Sequence, residues 1–503
     1  MTATATQGRE GTDVERWRHD VVAALARGCR FAGVFATHDA SHCDLTAVVI
    51  DGSGARQCRT RLWSDRDGRY AYPALYPDVP AAFWYERALH DLSGVVPVGH
   101  PRLDPLLLPL SGSAPRPRPG AGPVTGRLDG EDRRGPVDVT GTGMFTLPFG
   151  PVRSGVFESI EFLLETPGED VPHLNIRPHY KHRGVAKAFE GRSLADGVLV
   201  AERVEGISSV AHALAYCHAV ERLAVTAPPP RARLIRVLHA ELERIVNHLD
   251  VTMRLADAAA LAVATARFGL HKERMMRLVS QLCGNRFGRA VVMPGGVSGD
   301  PLLGPGGVRA ALTRLRPAIL ADIAALERSP SFLDRLRNTG PLSAERAREH
   351  GALGPVGRAS GFDDDHRYET SRTYDAYGDI DLPVRSWTAD GDCQSRARVR
   401  WSEIESSFAL CLAAVDALEQ CMRPELSVPL SVPDGTDVGW AEAAQGEALY
   451  VIDVEHGRLQ RCFARSASFH NLLLFHDVWA GDIFTDLPFI EASFGLSYAG
   501  VAM

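Results

Sequence analysis

Residues 111–142 divide this 503-residue chain before any element is assigned. Ser111-Gly112-Ser113-Ala114-Pro115-Arg116-Pro117-Arg118-Pro119-Gly120 is rich in Pro, Gly and Arg, and Gly126 to Gly135 is mostly charged. That composition buries too little apolar surface to offset the entropy of ordering, so it reads as a flexible linker. The chain must therefore fold in two pieces, residues 1–110 and 143–503, each around its own core. Its length supports more than one domain.

Composition then removes several classes of function. An apolar fraction of 45% and a charged fraction of 23% are those of an ordinary globular protein. Net charge is -7 and no basic run is present, so nucleic acid is not expected as a partner. No uninterrupted apolar stretch approaches the ~20 residues of a membrane-spanning helix. Met1 to Asp13 is polar and lacks the apolar core of an export signal. The nine cysteines contain no metal-knuckle pair and read as free, mostly buried thiols.

Periodicity gives an α+β reading of the chain, a small α/β domain followed by a mainly helical piece. In the first, Trp17 to Ala26 has helical spacing, and Ala32 to Thr37 and Leu45 to Ile50 are β-like. A Leu- and Pro-rich arm, Leu103 to Pro109, has no evident place in a small core and reads as a strap for a partner. In the second piece, Val156 to Glu165 is strand-like. Helical patterns cover Val210 to Leu223, Arg233 to about Ala266, Lys272 to about Leu282, Val308 to Arg337 and Arg398 to Met422. Met293 to Val297 is a tight turn, Gly354 to Gly361 a Gly-rich loop, and the region of Glu442, Glu447 and Tyr450 to Asp453 β-rich. The expectation is a long-helix bundle flanked by small sheets.

Two short stretches stand out within that bundle: Arg203-Val204-Glu205-Gly206-Ile207-Ser208, and Ser497-Tyr498-Ala499-Gly500 near the end. Each offers two positions three residues apart that can face one point. Soft metals are usually held by Cys-x-x-Cys pairs at such positions. Here the four positions are Glu205, Ser208, Ser497 and Gly500: one carboxylate, two hydroxyls and no side chain. They cannot form a thiolate cage. Glu205 is either a proton-handling or ligand-binding acid, or half of an ion pair with a buried arginine such as Arg203 or Arg358. His212, one heptad on and near the same helix face, is a candidate partner for it. Ser208 and Ser497 read as cavity hydroxyls, because no His–acid pair is indicated beside either.

Several words carry a family resemblance. Ala82-Phe83-Trp84-Tyr85-Glu86-Arg87, Asp91-Leu92, Gly99-His100-Pro101 and Leu106-Leu107-Leu108-Pro109 resemble the small peripheral-arm subunit of respiratory complex I. From Gly150 onward the chain resembles the large subunit of nickel–iron hydrogenases and the quinone-pocket subunit of complex I. The matching words are His182-Arg183-Gly184, Glu241-Leu242-Glu243-Arg244-Ile245, Asn247-His248, Pro294-Gly295-Gly296-Val297, Gly354-Pro355, Arg358-Ala359-Ser360-Gly361, Ser468-Phe469 and Asn471-Leu472. The order, with the small domain fused in front, is similar to the large subunit of formate-hydrogenlyase-type hydrogenases. The resemblance makes Glu86, Arg87 and Asp91 assembly residues.

In working hydrogenases the two cysteine pairs fall on Glu205 and Ser208 and on Ser497 and Gly500, so the resemblance implies a degenerate metal site. The chain also ends three residues past Gly500, with no extension to be removed on metal insertion. The quinone-site words of complex I are altered as well. Its Gly-Pro-x-His-Pro hairpin is Gly150 to Gly155 without a histidine, its tyrosine falls on Gly206, and its cluster-side histidine falls on Gly288. The pattern is most similar to energy-converting-hydrogenase-related complexes that lack the metal cysteines.

The resemblance implies a subunit of a membrane-associated oxidoreductase complex, related to NADH–quinone (NAD-linked) enzymes. Its partners would be an iron–sulfur small subunit, a ferredoxin-like iron–sulfur subunit and membrane-embedded subunits. It would lie on the cytoplasmic face of the cell membrane. Quinone is the possible ligand, and the iron–sulfur clusters would sit in the partner. Arg203, His182 and Arg183 would face the partner's cluster. The competing expectations are a non-catalytic scaffold and, last, a hydrogenase with unusual ligands.

Overall fold

The computed structural model describes residues 4–38, 41–52, 54–110, 139–153, 158–362, 364–368, 375–384 and 387–503. The linker reading at 111–138, and the hairpin and strand positions at 154–157, lie outside them. The rest is α+β and groups into two compact units. One runs to Arg183 and takes in Arg348–Gly351 and Ala502; the other comprises Gly184–Ala347, Ala352–Val501 and Met503.

The first unit opens with helix α1 (Thr4–Ala26) and a three-stranded antiparallel meander, β1 (Arg30–His38), β2 (His42–Asp51) and β3 (Gly54–Trp63). Short β4 (Ala71–Pro73) and β5 (Val96–Val98) pair in parallel around helix α2 (Phe83–Ser93). A second meander follows: β6 (Phe145–Phe149), β7 (Glu161–Thr166) and β8 (His173–Arg177).

Glu86, Arg87 and Asp91, all on α2, are buried cross-links within this unit. Glu86 accepts hydrogen bonds from Tyr72 Oη at 2.9 Å and from the backbone N–H of Leu75 at 2.7 Å and Tyr76 at 3.1 Å. Arg87 pairs with Asp104 at 2.6 Å. Asp91 Oδ2 accepts from the N–H groups of Leu106 and Leu107 at 2.7 and 2.9 Å. These bonds correct the reading of the Leu-Pro arm as a strap laid on a partner. With Leu106, Leu107 and Leu110 buried, it packs on its own unit. A Pro-rich segment cannot build its own ladder, so the α2 carboxylate supplies the missing acceptors.

Among the described residues, the second unit is built on four long helices, of 22 to 29 residues, and a three-stranded β-meander. After short α3 (Val185–Phe189) and α4 (Leu194–Ala201) come α5 (Ser209–Leu223), α6 (Pro230–Ala258) and α7 (Ala262–Cys283). A two-residue hairpin, β9 (Val292–Met293) and β10 (Gly296–Val297), forms the expected tight turn. Then follow α8 (Gly304–Glu327), α9 (Pro330–Leu336), α10 (Ala344–Glu349), α11 (Gly354–Ala359) and α12 (Cys393–Gln420). Strands β11 (Gly435–Ala443), β12 (Gly446–Glu455) and β13 (Arg458–Arg465) make an antiparallel meander, and α13 (Ala467–Leu472) and α14 (Leu487–Phe494) close the chain.

Helices α6 and α12 pack along one another, and α5 lies across β11 and β12. Its contact with β11 is backbone to backbone: a Cβ at Gly439 would overlap Ala215 and Ala219 of α5. Val210, Leu214, Tyr216, Tyr450 and Ile452 form the core at that crossing. Among the described residues, no helix is long and apolar enough to cross a membrane.

Several boundaries differ from the sequence reading; the pattern from Val308 to Arg337, for one, is split into α8 and α9. The helical pattern from Arg233 breaks at Ala259–Leu261, where Ala260 takes φ 55°, rather than near Ala266. The Gly-rich loop at Gly354 is a buried helix with Pro355 in its first turn, where a missing N–H costs nothing.

Candidate functional site

Glu205 lies in the turn that leads into α5, not on the helix. The turn is closed by a Ser208 N–H to Glu205 C=O bond of 3.4 Å. Ser208 occupies the N-cap position of α5, yet its hydroxyl does not cap it. Ser208 Oγ instead donates to Gln445 Oε1 at 2.7 Å. The free N–H groups of the first turn go to a carboxylate on another helix: Glu243 of α6 accepts from Val210 at 2.7 Å and Ala211 at 3.0 Å. Burial, foremost, raises the Glu243 carboxyl to about 8, and the Glu205 charge adds to the effect.

The sequence pairing of Glu205 with His212 is present. His212 Nε2 lies 2.9 Å from Glu205 Oε1, and both side chains are sequestered from solvent. The heptad spacing brings them together by a different route, since the Glu205 turn folds back on the helix that carries His212. His212 Nδ1 lies 2.8 Å from Tyr450 Oη on β12. Burial raises the Tyr450 phenol well above its ordinary range, so it stays protonated. A protonated phenol can donate to Nδ1, and in the tautomer with its proton on Nε2 the ring donates to Glu205 Oε1. Ser466 Oγ donates to the same Oε1 at 3.0 Å.

The remaining oxygen, Glu205 Oε2, is buried and has no hydrogen-bond partner among the described residues. It points at Gly500. A Cβ there would collide with Oε2 and with Ser466 Oγ. Ser497 joins the same knot through its backbone: its N–H donates to Ser468 Oγ at 3.0 Å, and Ser468 N–H donates to Ser466 Oγ at 3.0 Å. Of the four positions read from the sequence, Glu205 and Gly500 lie face to face, Ser497 is tied to them through Ser468 and Ser466, and Ser208 turns to Gln445.

These positions offer a nickel–iron centre one carboxylate, two hydroxyls and no thiolate. Glu205 Oε1 is held by two donors, Ser208 Oγ faces Gln445, and Oε2 fills the space a side chain at position 500 would use. Hydroxyls are also poor ligands for a soft metal. Among the described residues, no group of three or more His, Cys, Asp or Glu side chains is placed to hold a metal ion.

The alternative of a buried-arginine ion pair for Glu205 is corrected by the structure. The Arg203 side chain is 54% exposed and bonds to Glu202 at 3.4 Å. Arg358 is buried but serves another cluster, meeting Glu403 at 2.8 Å, Glu442 at 3.0 Å and Asp365 at 3.4 Å. Arg367 and Arg244 extend this cluster to Glu241 at 3.2 and 3.4 Å. His182 and Arg183 belong to the first compact unit, half-buried and exposed respectively, and Arg203 to the second.

Sequence reasoning missed Tyr450, Ser466 and Gln445 as members of this site. Their contacts span 238, 261 and 237 residues, which no local spacing signals. Glu243 stood inside a recognised word, but nothing in that word shows that it caps another helix.

Comparison with known proteins agrees with this fold. The model of the respiratory-chain NADH dehydrogenase 30 kDa subunit matches residues 18–116, and that of the 49 kDa subunit matches residues 257–426. A carbon monoxide-induced hydrogenase of Rhodospirillum rubrum is 30% identical over 365 residues, 69% of this chain and 96% of the relative. Formate hydrogenlyase subunit 5 of Escherichia coli is 27% identical over 447 residues, 85% of this chain and 76% of the relative, a match long enough to need both units. A chain from the structure of a membrane-bound sulfane sulfur reductase, an archaeal respiratory membrane complex, superposes with a TM-score of 0.66 at 23% identity. It covers 72% of this chain and 99% of that one, and shows a shared fold. This chain therefore belongs to the family of the respiratory-chain NADH dehydrogenase 49 kDa subunit and its hydrogenase relatives, with a 30 kDa-subunit domain joined ahead of it.

Proposed function

We propose that the chain is the large subunit of a membrane-associated oxidoreductase complex that passes electrons from a partner iron–sulfur subunit to a quinone or another acceptor, without a nickel–iron site. It holds no redox group of its own in this reading. The small-subunit-like domain at 1–110 and the large domain at 143–503 assemble with a hydrogenase-type iron–sulfur subunit, a ferredoxin-like subunit and membrane-embedded subunits, on the cytoplasmic face.

One observation carries the reading: the buried Oε2 of Glu205, unpartnered among the described residues, where it faces Gly500, a position of the family's other metal pair. A carboxylate with one oxygen fixed by two donors and the other free is built to take up or release a proton at the free oxygen. Tyr450 and His212 position it and do not touch the acceptor. Protonated, Oε2 can donate to an acceptor oxygen as electrons arrive. Arg203, largely exposed, and His182 with Arg183 would face the partner; positive charge beside its cluster would raise the cluster's potential.

A scaffold without chemistry is the second reading, favoured by the tight fit of Oε2 against Gly500. Purifying the intact complex and identifying its subunits, quinone, iron and nickel tests the proposal. Iron–sulfur clusters in a companion subunit and no stoichiometric nickel are expected. About one nickel per chain, as in a thiolate site, would overturn it.

A further inference from the structure

A cavity of about 370 Å³ lies between α6 and α7 beneath the first turn of α5. Its walls are mostly apolar, with Val210, Val246, Met276 and Phe287 among them. One polar stripe crosses it: His239, Glu243 and Asn247, four residues apart on one face of α6, so successive groups are spaced by about 6 Å.

The stripe is short of donors. His239 and Asn247 are 2% and 3% exposed, yet His239 Nδ1 and Asn247 Oδ1 have no hydrogen-bond partner among the described residues. Buried polar atoms are normally satisfied, and unsatisfied ones mark a missing partner. Glu243 accepts two backbone N–H groups and pairs with no cation among the described residues. The other acids of the cavity are already neutralised. Asp250 meets Lys272 and Arg254, each at 2.6 Å, and Glu273 meets Arg277 at 2.8 Å and also Arg286. The cations at the mouth are thus committed, and the interior presents an acid flanked by two unfilled polar atoms.

We propose that this cavity binds a cationic nitrogen head, an ammonium, amidinium or guanidinium, carried on an apolar stem. Glu243 is its counter-ion and Asn247 Oδ1 accepts a second N–H, while neutral His239 Nδ1, on the other side of Glu243, is the alternative acceptor. Burial alone lowers His239 to about 4, so its ring is neutral and able to accept. The apolar wall takes the stem. The same head could belong to a small amine or to a Lys or Arg side chain of a neighbouring subunit.

Binding should depend on pH through Glu243, which faces His239 and Asn247 on α6, Lys272 and Glu273 on α7, Arg286 on the following loop, and the charges of Glu205 and Arg244. Raised to about 8, it is mostly protonated at pH 6.5 and mostly charged at pH 8.5. Affinity for a permanent cation should rise by roughly tenfold or more across that range.

The experiment titrates benzamidine, with neutral benzamide as control, into the full chain and into the assembled complex by calorimetry at both pH values. Saturable benzamidine binding to the chain is expected, stronger at pH 8.5, absent for benzamide, and weakened about tenfold or more by Glu243→Gln and by Asn247→Leu. Asn247→Leu removes an oxygen that makes no hydrogen bond among the described residues, so its fold should survive if Glu243→Gln disturbs α5. Binding retained by the complex identifies a small-molecule site. Binding present in the chain and lost in the complex assigns the seat to a neighbouring side chain. No saturable binding, equal binding of benzamide, or indifference to both substitutions overturns the proposal.

Discussion

Glu243 makes the pH dependence of stability calculable. Its carboxyl is pushed from 4.5 up to about 8, chiefly by burial. The folded form therefore keeps a proton that the unfolded chain releases above 4.5. The contribution is fully present below that value, declines as pH rises, and is lost above about 8. The gap between 4.5 and about 8 corresponds to at most roughly 5 kcal/mol. Glu243→Gln removes this dependence. It keeps the shape and one acceptor for the Val210 and Ala211 N–H groups and gives up the other, which costs about 1 kcal/mol. The variant should thus melt below wild type at pH 5 and above it at pH 9. At ~2–4 °C per kcal/mol, the difference in Tm should swing by several degrees or more between the two pH values. Melting curves by circular dichroism at pH 5, 7 and 9 measure it. A difference in Tm that stays constant with pH would refute a raised Glu243 carboxyl at the α5 terminus.

Two further outcomes follow from the same packing. Tyr450→Phe leaves His212 Nδ1 buried without its hydrogen-bond partner and should destabilise by about 1–3 kcal/mol, read by thermal melting, while nitrogen chemical shifts of the ring report its tautomer. Arg358→Leu removes one cation from Glu403, Glu442 and Asp365, with Arg367 and Arg244 left on Asp365 and Glu403, and should cost about 3–5 kcal/mol, enough to lower the soluble yield and the melting temperature sharply.

What could be read in advance follows from the range of the forces involved. The α5 pattern, Val210 to Leu223, matched the helix Ser209–Leu223 because its apolar repeat is local. The break at Ala260 was invisible because Ala256 to Ala266 carries no Gly or Pro to mark it. The strands β3, β6 and β8 were missed: β3 mixes exposed arginines with few apolar residues, and β6 and β8 are five residues each. The convergence of Glu205 with Gly500 was legible through the spacing of two distant pairs. The contents of the knot, Tyr450 and Ser466, depend on β12 and α13 crossing α5, and only the folded chain places them. The contact of Arg358 with Glu442 spans 84 residues, shorter but still beyond any local spacing, so the sequence does not separate Arg358 from Glu205.

The assembled complex carrying Glu205→Gln tests the central claim most directly. Gln keeps the side chain's shape and its bonds to His212 and Ser466, but an amide does not exchange a proton near neutral pH. Assembly should be intact and the partner's iron–sulfur signals should still develop on reduction, as seen by electron paramagnetic resonance. Turnover to the acceptor should fall on the order of 10²-fold or more. Wild-type turnover in a fully assembled Glu205→Gln complex would contradict a proton-handling Glu205 and leave the side chain as a filler of the cavity.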